Sequence, residues 1–118
     1  MSEVNTYDLH IHQGETWELV LTRLDANDEP VALTGYSAFM SIKDRPGGRL
    51  YTTLTSSDSE ITIVEADGEI EVNMSATDTG ALPFVEAYYD IAIKSVASTV
   101  TYLLKGRVMV ARRITEVP

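Results

Sequence analysis

The chain has 118 residues, of which 44% are hydrophobic and 23% charged, and its formal net charge is −9. This length predicts one domain over residues 1–118 with a single modest core, and the negative charge argues against a protein that neutralises the phosphates of duplex DNA. The absence of cysteine excludes disulfide scaffolds, thiol catalysis and cysteine-rich zinc sites.

Alternating apolar and polar residues, which indicate β-strands, begin near the N-terminus. The first run covers residues 7–11 and the second covers residues 17–21. Trp17 is in phase with the leucines of its run, so we expect it to be buried in the core, against the strands that contain Tyr89 and Tyr102.

The middle of the chain predicts two further strands and a hairpin. The strands cover residues 36–43 and 50–55, and the hairpin pairs residues 61–63 with residues 70–72. Its turn contains Asp67-Gly68, a dipeptide that adopts the positive φ angles of a two-residue type I′ turn. We therefore expect a tight two-residue connection.

A short helix and two long strands complete the chain. Ser75 precedes Asp78 by three residues, which is an N-cap pattern, and a Leu-Pro pair ends the helix after one or two turns. The strands cover residues 84–94 and 99–111, with their predicted core faces at Val85, Ala87, Tyr89, Ile91 and Ile93 and at Val100, Tyr102, Leu104, Val108 and Val110. Seven or eight short strands with one short helix predict an all-β fold, an antiparallel sandwich or a small barrel.

Two clusters have residue types that bind metals. His10 and His12 share a strand face, but a site there would need an acid such as Asp8 or Glu15 as a third ligand, so solvated histidines are the favoured interpretation. The cluster of oxygen ligands at residues 25–28 lacks the glycine and the distal glutamate of a calcium loop, which favours a polar turn. We predict no metal and no cofactor.

Catalytic motifs are absent from the sequence. It contains no nucleophile elbow, phosphate-binding loop or dinucleotide fingerprint. The carboxylates of Glu69 and Glu71 alternate with apolar residues and are expected on the solvated face of the hairpin rather than in an acid–base pair. We predict that the protein is not an enzyme. Tyr88 is expected to be exposed, but one exposed tyrosine does not form a stacking platform.

The charge is unevenly distributed along the chain. Residues 50–93 hold nine acidic and no basic residues, whereas residues 94–118 hold five basic residues and one acidic residue. One interpretation is an acidic surface that meets a basic surface of a neighbouring copy or partner; the other is that strands of both segments adjoin in one sheet and their charges mix. The first predicts a protein interface that joins Lys105, Arg107, Arg112 and Arg113 to Glu65, Asp67, Glu69 and Glu71.

Several short motifs occur in a distinctive order. They are Ile11-x-x-Gly14-Glu15-Thr16-Trp17, Leu33-Thr34-Gly35-Tyr36, the stretch from Ser75 to Pro83, Tyr89-Asp90-Ile91 and Leu104-x-Gly106-Arg107-Val108. This order, from about residue 9 to residue 115, resembles the small immunoglobulin-like β domains of tailed-bacteriophage virion proteins, such as the N-terminal domain of baseplate upper proteins. The resemblance implies an immunoglobulin-like β-sandwich.

The resemblance also implies a function without catalysis. It predicts a virion structural protein, an adaptor or building block of the tail, neck or baseplate, which assembles with other virion proteins and forms homo-oligomers in the particle. It implies a location in the virion and, before assembly, in the host cytoplasm, with no nucleic acid or membrane as partner. The first six residues have no basic region and no apolar run, so we expect no secretory signal. The alternative is a carbohydrate-binding β-sandwich module for host attachment, which would need an exposed row of aromatic side chains.

Overall fold

The computed structural model describes residues 5–58 and 60–115, which form nine β-strands and one short helix. The elements are β1 (Asn5–Thr6), β2 (Leu9–His12), β3 (Trp17–Thr22), β4 (Ser37–Lys43), β5 (Leu50–Thr55), β6 (Ile61–Val64), β7 (Glu69–Met74), α1 (Ala76–Gly80), β8 (Glu86–Lys94) and β9 (Val100–Ala111). Within these ranges, no helix is long and apolar enough to cross a membrane.

The strands form two sheets that pack as a sandwich. The large sheet has the order β1-β9-β8-β4-β5, and β2 pairs with β9 beyond β1. The small sheet has the order β3-β7-β6 and is antiparallel throughout. The predicted antiparallel β-sandwich with one short helix is confirmed, except that β1 and β2 run parallel to β9.

The core lies between the sheets and follows from the period-2 alternation of the strands. Inward-facing side chains of both sheets are buried, and they include Leu9, Ile11, Ala38, Met40, Ile42, Leu54, Ile61, Ile70, Val72, Met74, Ala87, Tyr89, Ile91, Ile93, Leu104, Val108 and Val110. Trp17, Leu19 and Leu21 of β3 are half-buried and pack against this cluster. Trp17 was expected to be buried against the strands that contain Tyr89 and Tyr102; it packs against the core but is only half-buried, and of these two tyrosines Tyr89 is buried whereas Tyr102 lies on the outer face of the large sheet and is 51% exposed.

The helix is capped and anchored as its sequence predicts. The Ser75 hydroxyl accepts a hydrogen bond from the backbone N–H of Asp78, at 3.1 Å. Thr79 is fully buried, and its hydroxyl accepts from the N–H of Gly14 at 3.1 Å and donates to the carbonyl of Glu15 at 2.8 Å. The single turn of helix is thereby fixed to the connection between β2 and β3.

The hairpin connection differs from the predicted two-residue turn. Val64 pairs with Glu69, so the loop between β6 and β7 has four residues, 65–68. Only Gly68 in this loop has a positive φ, of 65°, and the N–H of Gly68 donates to the carbonyl of Glu65 at 3.3 Å. The loop is therefore a four-residue connection built around an ordinary turn and not a type I′ turn.

The predicted core face of β9 is wrong in its first part. Ile91 pairs with Leu104 but Ala92 pairs with Tyr102, so Leu103 is an extra residue in β9. Because of this extra residue, the part of β9 before Leu103 turns to the sheet face opposite to the one that regular alternation predicts. Val100 and Tyr102 are consequently exposed, whereas Leu103 packs against the core. Val85, also predicted in the core, precedes β8 and is exposed.

Candidate functional site

The outer face of the large sheet carries a depression of about 710 Å³, which we call the trough. Its floor is a row of side chains across three strands, since Ser41 of β4 lies opposite Asp90 of β8, and Asp90 lies opposite Lys105 of β9. One wall consists of Lys43, Tyr88 and Arg107, and the other of Tyr102, whose neighbours in the register of the sheet are Ala92 and Phe39. The two walls are four residues apart along a strand, or about 13 Å.

The trough exists because short side chains lie between long ones. Ser41 and Thr53 are neighbours on β4 and β5, and their hydroxyl oxygens are 3.3 Å apart. Tyr88 and Tyr102 rise on either side of the floor and are 38% and 51% exposed. The bulge at Leu103 places Tyr102 on this outer face. One wall of the trough therefore depends on the extra residue in β9.

Gly106 closes the edge of the site at β9. A Cβ atom at this position would overlap the carbonyl oxygen of Tyr7, so only glycine lets the connection between β1 and β2 come this close. Two hydrogen bonds hold the connection: the N–H of Tyr7 donates to the carbonyl of Lys105 at 2.8 Å, and the N–H of Arg107 donates to a carboxylate oxygen of Asp8 at 3.0 Å. The edge of the trough is thus fixed by one hydrogen bond between backbone groups and one from the backbone to a carboxylate.

Tyr89 supports this edge from the core side. Its hydroxyl donates a hydrogen bond to the carbonyl of Tyr7. Burial raises the pKa of the Tyr89 hydroxyl above its ordinary value, and the nearby Asp8 carboxylate raises this pKa further. The hydroxyl therefore remains protonated, and a donor, at neutral pH.

Cations outnumber acids in the trough. Lys43, Lys105 and Arg107 line it together with Asp8 and Asp90. Arg107 approaches Glu86 at 3.9 Å, but both side chains are about half-exposed, and such a pair is weak. Within the described ranges, neither Lys43 nor Lys105 forms an ion pair shorter than 4 Å. The site therefore offers the ammonium group of Lys105 on the floor between the two tyrosines, and a second ammonium and a guanidinium group beside Tyr88.

The remaining basic residues of the predicted interface lie beyond the end of β9. Arg112 is exposed. Arg113 is half-buried, its side chain lies against Gly14 and Gly80, and its N–H donates to the side-chain oxygen of Gln13 at 3.2 Å. Arg113 thus belongs to the packing around the helix and lies apart from the trough.

The predicted acidic residues cluster on the small sheet. Glu65 and Asp67 are exposed in the loop between β6 and β7. Glu69 and Glu71 point outward from β7, between buried inward-facing residues of the same strand. Within one copy these four acids and the bases of β9 occupy different sheets. The two charged segments also mix within one copy, which was the other interpretation of the sequence: β8, with Glu86 and Asp90, pairs with β9, and Arg113 lies against Gly80.

The residues considered for metal binding have other surroundings. His10 and His12 are exposed on β2, and Nδ1 of His12 lies 2.9 Å from the carbonyl oxygen of Gln13. The Asp25 carboxylate accepts the N–H groups of Asn27 and Glu29 at 2.8 and 3.1 Å, which makes a polar turn. In the part of the chain that the structure describes, no three His, Asp or Glu side chains are grouped to hold a metal ion.

A second, smaller cleft of about 210 Å³ lies between β5, the helix and the segment that follows it. It contains two acids, Glu60 and Asp78, and none of its described lining residues is cationic. Partial burial raises the pKa of the Glu60 carboxyl, and the charges of Asp58 and Asp78 add to this rise. The cleft would repel an anion and offers no counter-charge to its own acids.

The sequence interpretation missed the trough, although it identified three of its residues. Lys105 and Arg107 were assigned to an interface and Tyr88 to the surface, but Tyr102 was assigned to the core. The chemistry of the trough is that of a binding surface, with aromatic contact area beside charged donors.

The chain matches no model of a known protein family, and it matches no curated protein.

Proposed function

We propose that the chain is a non-enzymatic structural protein of a tailed-bacteriophage virion, an adaptor or building block of the tail, neck or baseplate. The observation that carries this proposal is the separation of charge and shape between the two sheets. The large sheet presents a concave surface with Lys105, Arg107 and exposed aromatic rings, and the small sheet presents an acidic surface. Two unlike surfaces on one module are what repeated head-to-tail assembly requires.

The exposed aromatic side chains support a role in protein–protein contact. Phe39, Tyr88 and Tyr102 all project from the outer face of the large sheet and are at least 38% exposed. Aromatic residues and arginine are enriched at interfaces and supply much of their binding energy. The order of motifs that resembles virion β domains supports the same function.

The direct test is to look for the chain in particles. Phage particles from a source that encodes the chain would be purified by density gradient and analysed by quantitative mass spectrometry. We expect the chain in fixed stoichiometry with the tail proteins, resistant to washing with high salt. Its absence from intact particles, while it is present in the cell lysate, would contradict the proposed function.

Carbohydrate binding is the second candidate, and the aromatic walls of the trough favour it. Tyr88 and Tyr102 flank a polar floor that contains Ser41 and Asp90, a combination that suits stacking on sugar rings and hydrogen bonding to hydroxyl groups. The tyrosines stand on opposite walls rather than in one row, however. A glycan array probed with the wild type and with Tyr102→Ala tests this candidate, which requires a signal that the variant loses.

A further inference from the structure

We propose that the trough of one copy receives the loop between β6 and β7 of a second copy, so that copies join head to tail. This contact rests on the proposed function, because it specifies how the chain assembles. It would give the acidic and basic surfaces a defined pair of docking elements. One is a convex loop with two carboxylates, Glu65 and Asp67, and the other is a concave site with three cations and two acids.

The loop is held in place before any contact forms. The carbonyl of Glu65 accepts the N–H of Leu33 at 2.8 Å, and the carbonyl of Gly68 accepts the N–H of Arg23 at 2.9 Å. Gly68 is buried directly against the backbone of Val31. Because the loop is already ordered by these bonds, docking loses little conformational entropy.

The trough matches this loop in charge. Lys43 and Lys105 form no ion pair in the described part of one copy, and Arg107 has only the long contact to Glu86. The carboxylates of Glu65 and Asp67 are exposed, and the residue between them is the small Ala66. The trough holds three cations against two acids, Asp8 and Asp90, so carboxylates entering it would supply further counter-charge, with hydrogen bonds shorter and stronger than neutral ones.

The trough is also wide enough for the backbone of the loop. Its wall residues are about 13 Å apart along the strand backbone, and the two paired strands that the loop joins are about 4.8 Å apart. Tyr88 and Tyr102 would then lie on the two sides of the inserted loop, where their rings add apolar contact area to the ion pairs.

The contact is heterologous, because the loop and the trough belong to different sheets of the same copy. Each copy keeps a free loop and a free trough after one contact has formed. A rotation that closes on itself would give a ring, and one that does not would give a filament. The protein therefore carries both halves of a repeating joint.

Two double variants test the joint separately. The loop variant is Glu65→Gln with Asp67→Asn, and the trough variant is Lys105→Gln with Arg107→Gln. Matched controls neutralise exposed charges elsewhere: Glu15→Gln with Glu29→Gln for the acids, and Lys94→Gln with Arg112→Gln for the bases. All of these side chains are exposed, so we expect the melting temperatures to stay close to that of the wild type.

Sedimentation velocity over a concentration series, at about 0.1 M salt, would measure the self-association of each protein. We expect the wild type and both controls to associate, and the loop and trough variants to show a dissociation constant raised at least about tenfold. A mixture of the two variants should form one-to-one dimers that grow no further, because the pair retains one intact trough and one intact loop.

Three results would overturn the joint. The first is a mixture of the variants that does not dimerise, which would show that an intact loop does not bind an intact trough. The second is a loop variant that associates like the wild type. The third is a wild type that remains monomeric at about 1 mM. This result would overturn the joint even if the trough then binds an acidic oligosaccharide. If the chain is nonetheless found in particles, the proposed function stands and only this joint fails.

Discussion

Tyr89 connects the core of the large sheet to its edge through one hydroxyl group, and its ionisation should be visible in the stability of the protein. Its pKa is raised in the folded protein by burial and by Asp8, whereas in the unfolded chain it is about 10. Above pH 10 the unfolded chain loses this proton while the folded protein keeps it, so the free energy of unfolding must fall as the pH rises. Below pH 10 this residue contributes no pH dependence.

Urea unfolding at several pH values between 8 and about 11 would measure this effect, with Tyr89→Phe as the control. We expect the wild type to lose stability more steeply than Tyr89→Phe over this range, because phenylalanine has no proton to lose. Parallel curves for the two proteins would mean that the Tyr89 pKa is not raised. At neutral pH the variant should be less stable by about 1 kcal/mol, since the carbonyl of Tyr7 loses its donor.

Gly106 is the residue whose lack of a side chain shapes the edge of the trough. Gly106→Ala would force the Tyr7 carbonyl away from β9, and overpacking of this kind costs about 1–3 kcal/mol. Hydrogen exchange followed by NMR gives a specific readout, because the N–H groups of Tyr7 and Arg107 are bonded across this edge. We expect both to exchange faster in the variant. Unchanged protection at these two positions would show that the edge tolerates a Cβ atom.

At the scale of elements, the short helix depends on one buried hydroxyl. Thr79→Val keeps the shape of the side chain but leaves the N–H of Gly14 and the carbonyl of Glu15 without their partner, which should cost about 1–3 kcal/mol. Thr79→Ser keeps the hydroxyl and removes only a methyl group, at about 0.8 kcal/mol. Chemical unfolding of both variants would show which one is less stable, and we expect it to be Thr79→Val. If Thr79→Ser is the less stable of the two, packing rather than hydrogen bonding holds the helix.

Elements with regular alternation could be predicted from the sequence with accurate bounds. The strand predicted over residues 36–43 covers Ser37–Lys43, with alternating burial along its length. The bulge in β9 could not be predicted, because Tyr102, Leu103 and Leu104 are all apolar and the alternation gives no sign of an extra residue. The close approach of the Val31 backbone to Gly68 could likewise not be predicted, because the two residues are far apart in the sequence.

At the scale of the whole molecule, the trough depends on contacts between distant parts of the chain. Its floor joins Ser41, Asp90 and Lys105, which come from three strands. Its edge is closed by residues about a hundred positions away from β9 in the sequence, as in the bond between Asp8 and Arg107. Charge counts identified the basic end of the chain, but only the strand order places Lys105 and Arg107 beside Tyr88, and Arg113 beside the helix.

The net charge of −9 and the charges of the proposed joint should affect association in opposite ways. At 0.01 M salt the Debye length is about 30 Å, similar to the 44 × 30 × 24 Å dimensions of one copy. Whole copies therefore repel each other at low salt. At about 0.15 M the Debye length is about 8 Å, so the net charge is screened while carboxylates in contact with Lys105 and Arg107 still attract.

We therefore expect self-association to be strongest at an intermediate ionic strength. The association constant should rise between about 0.01 and 0.15 M salt, and fall again towards 1 M, where a Debye length of about 3 Å weakens the contact pairs too. The variant with Lys105→Gln and Arg107→Gln should keep the initial rise, because its net charge is even more negative, and lose most of the later decline. Light scattering at fixed protein concentration across this salt series would show the maximum. An association constant that decreases at every addition of salt would mean that attraction between local charges outweighs the repulsion of the net charge even at long range.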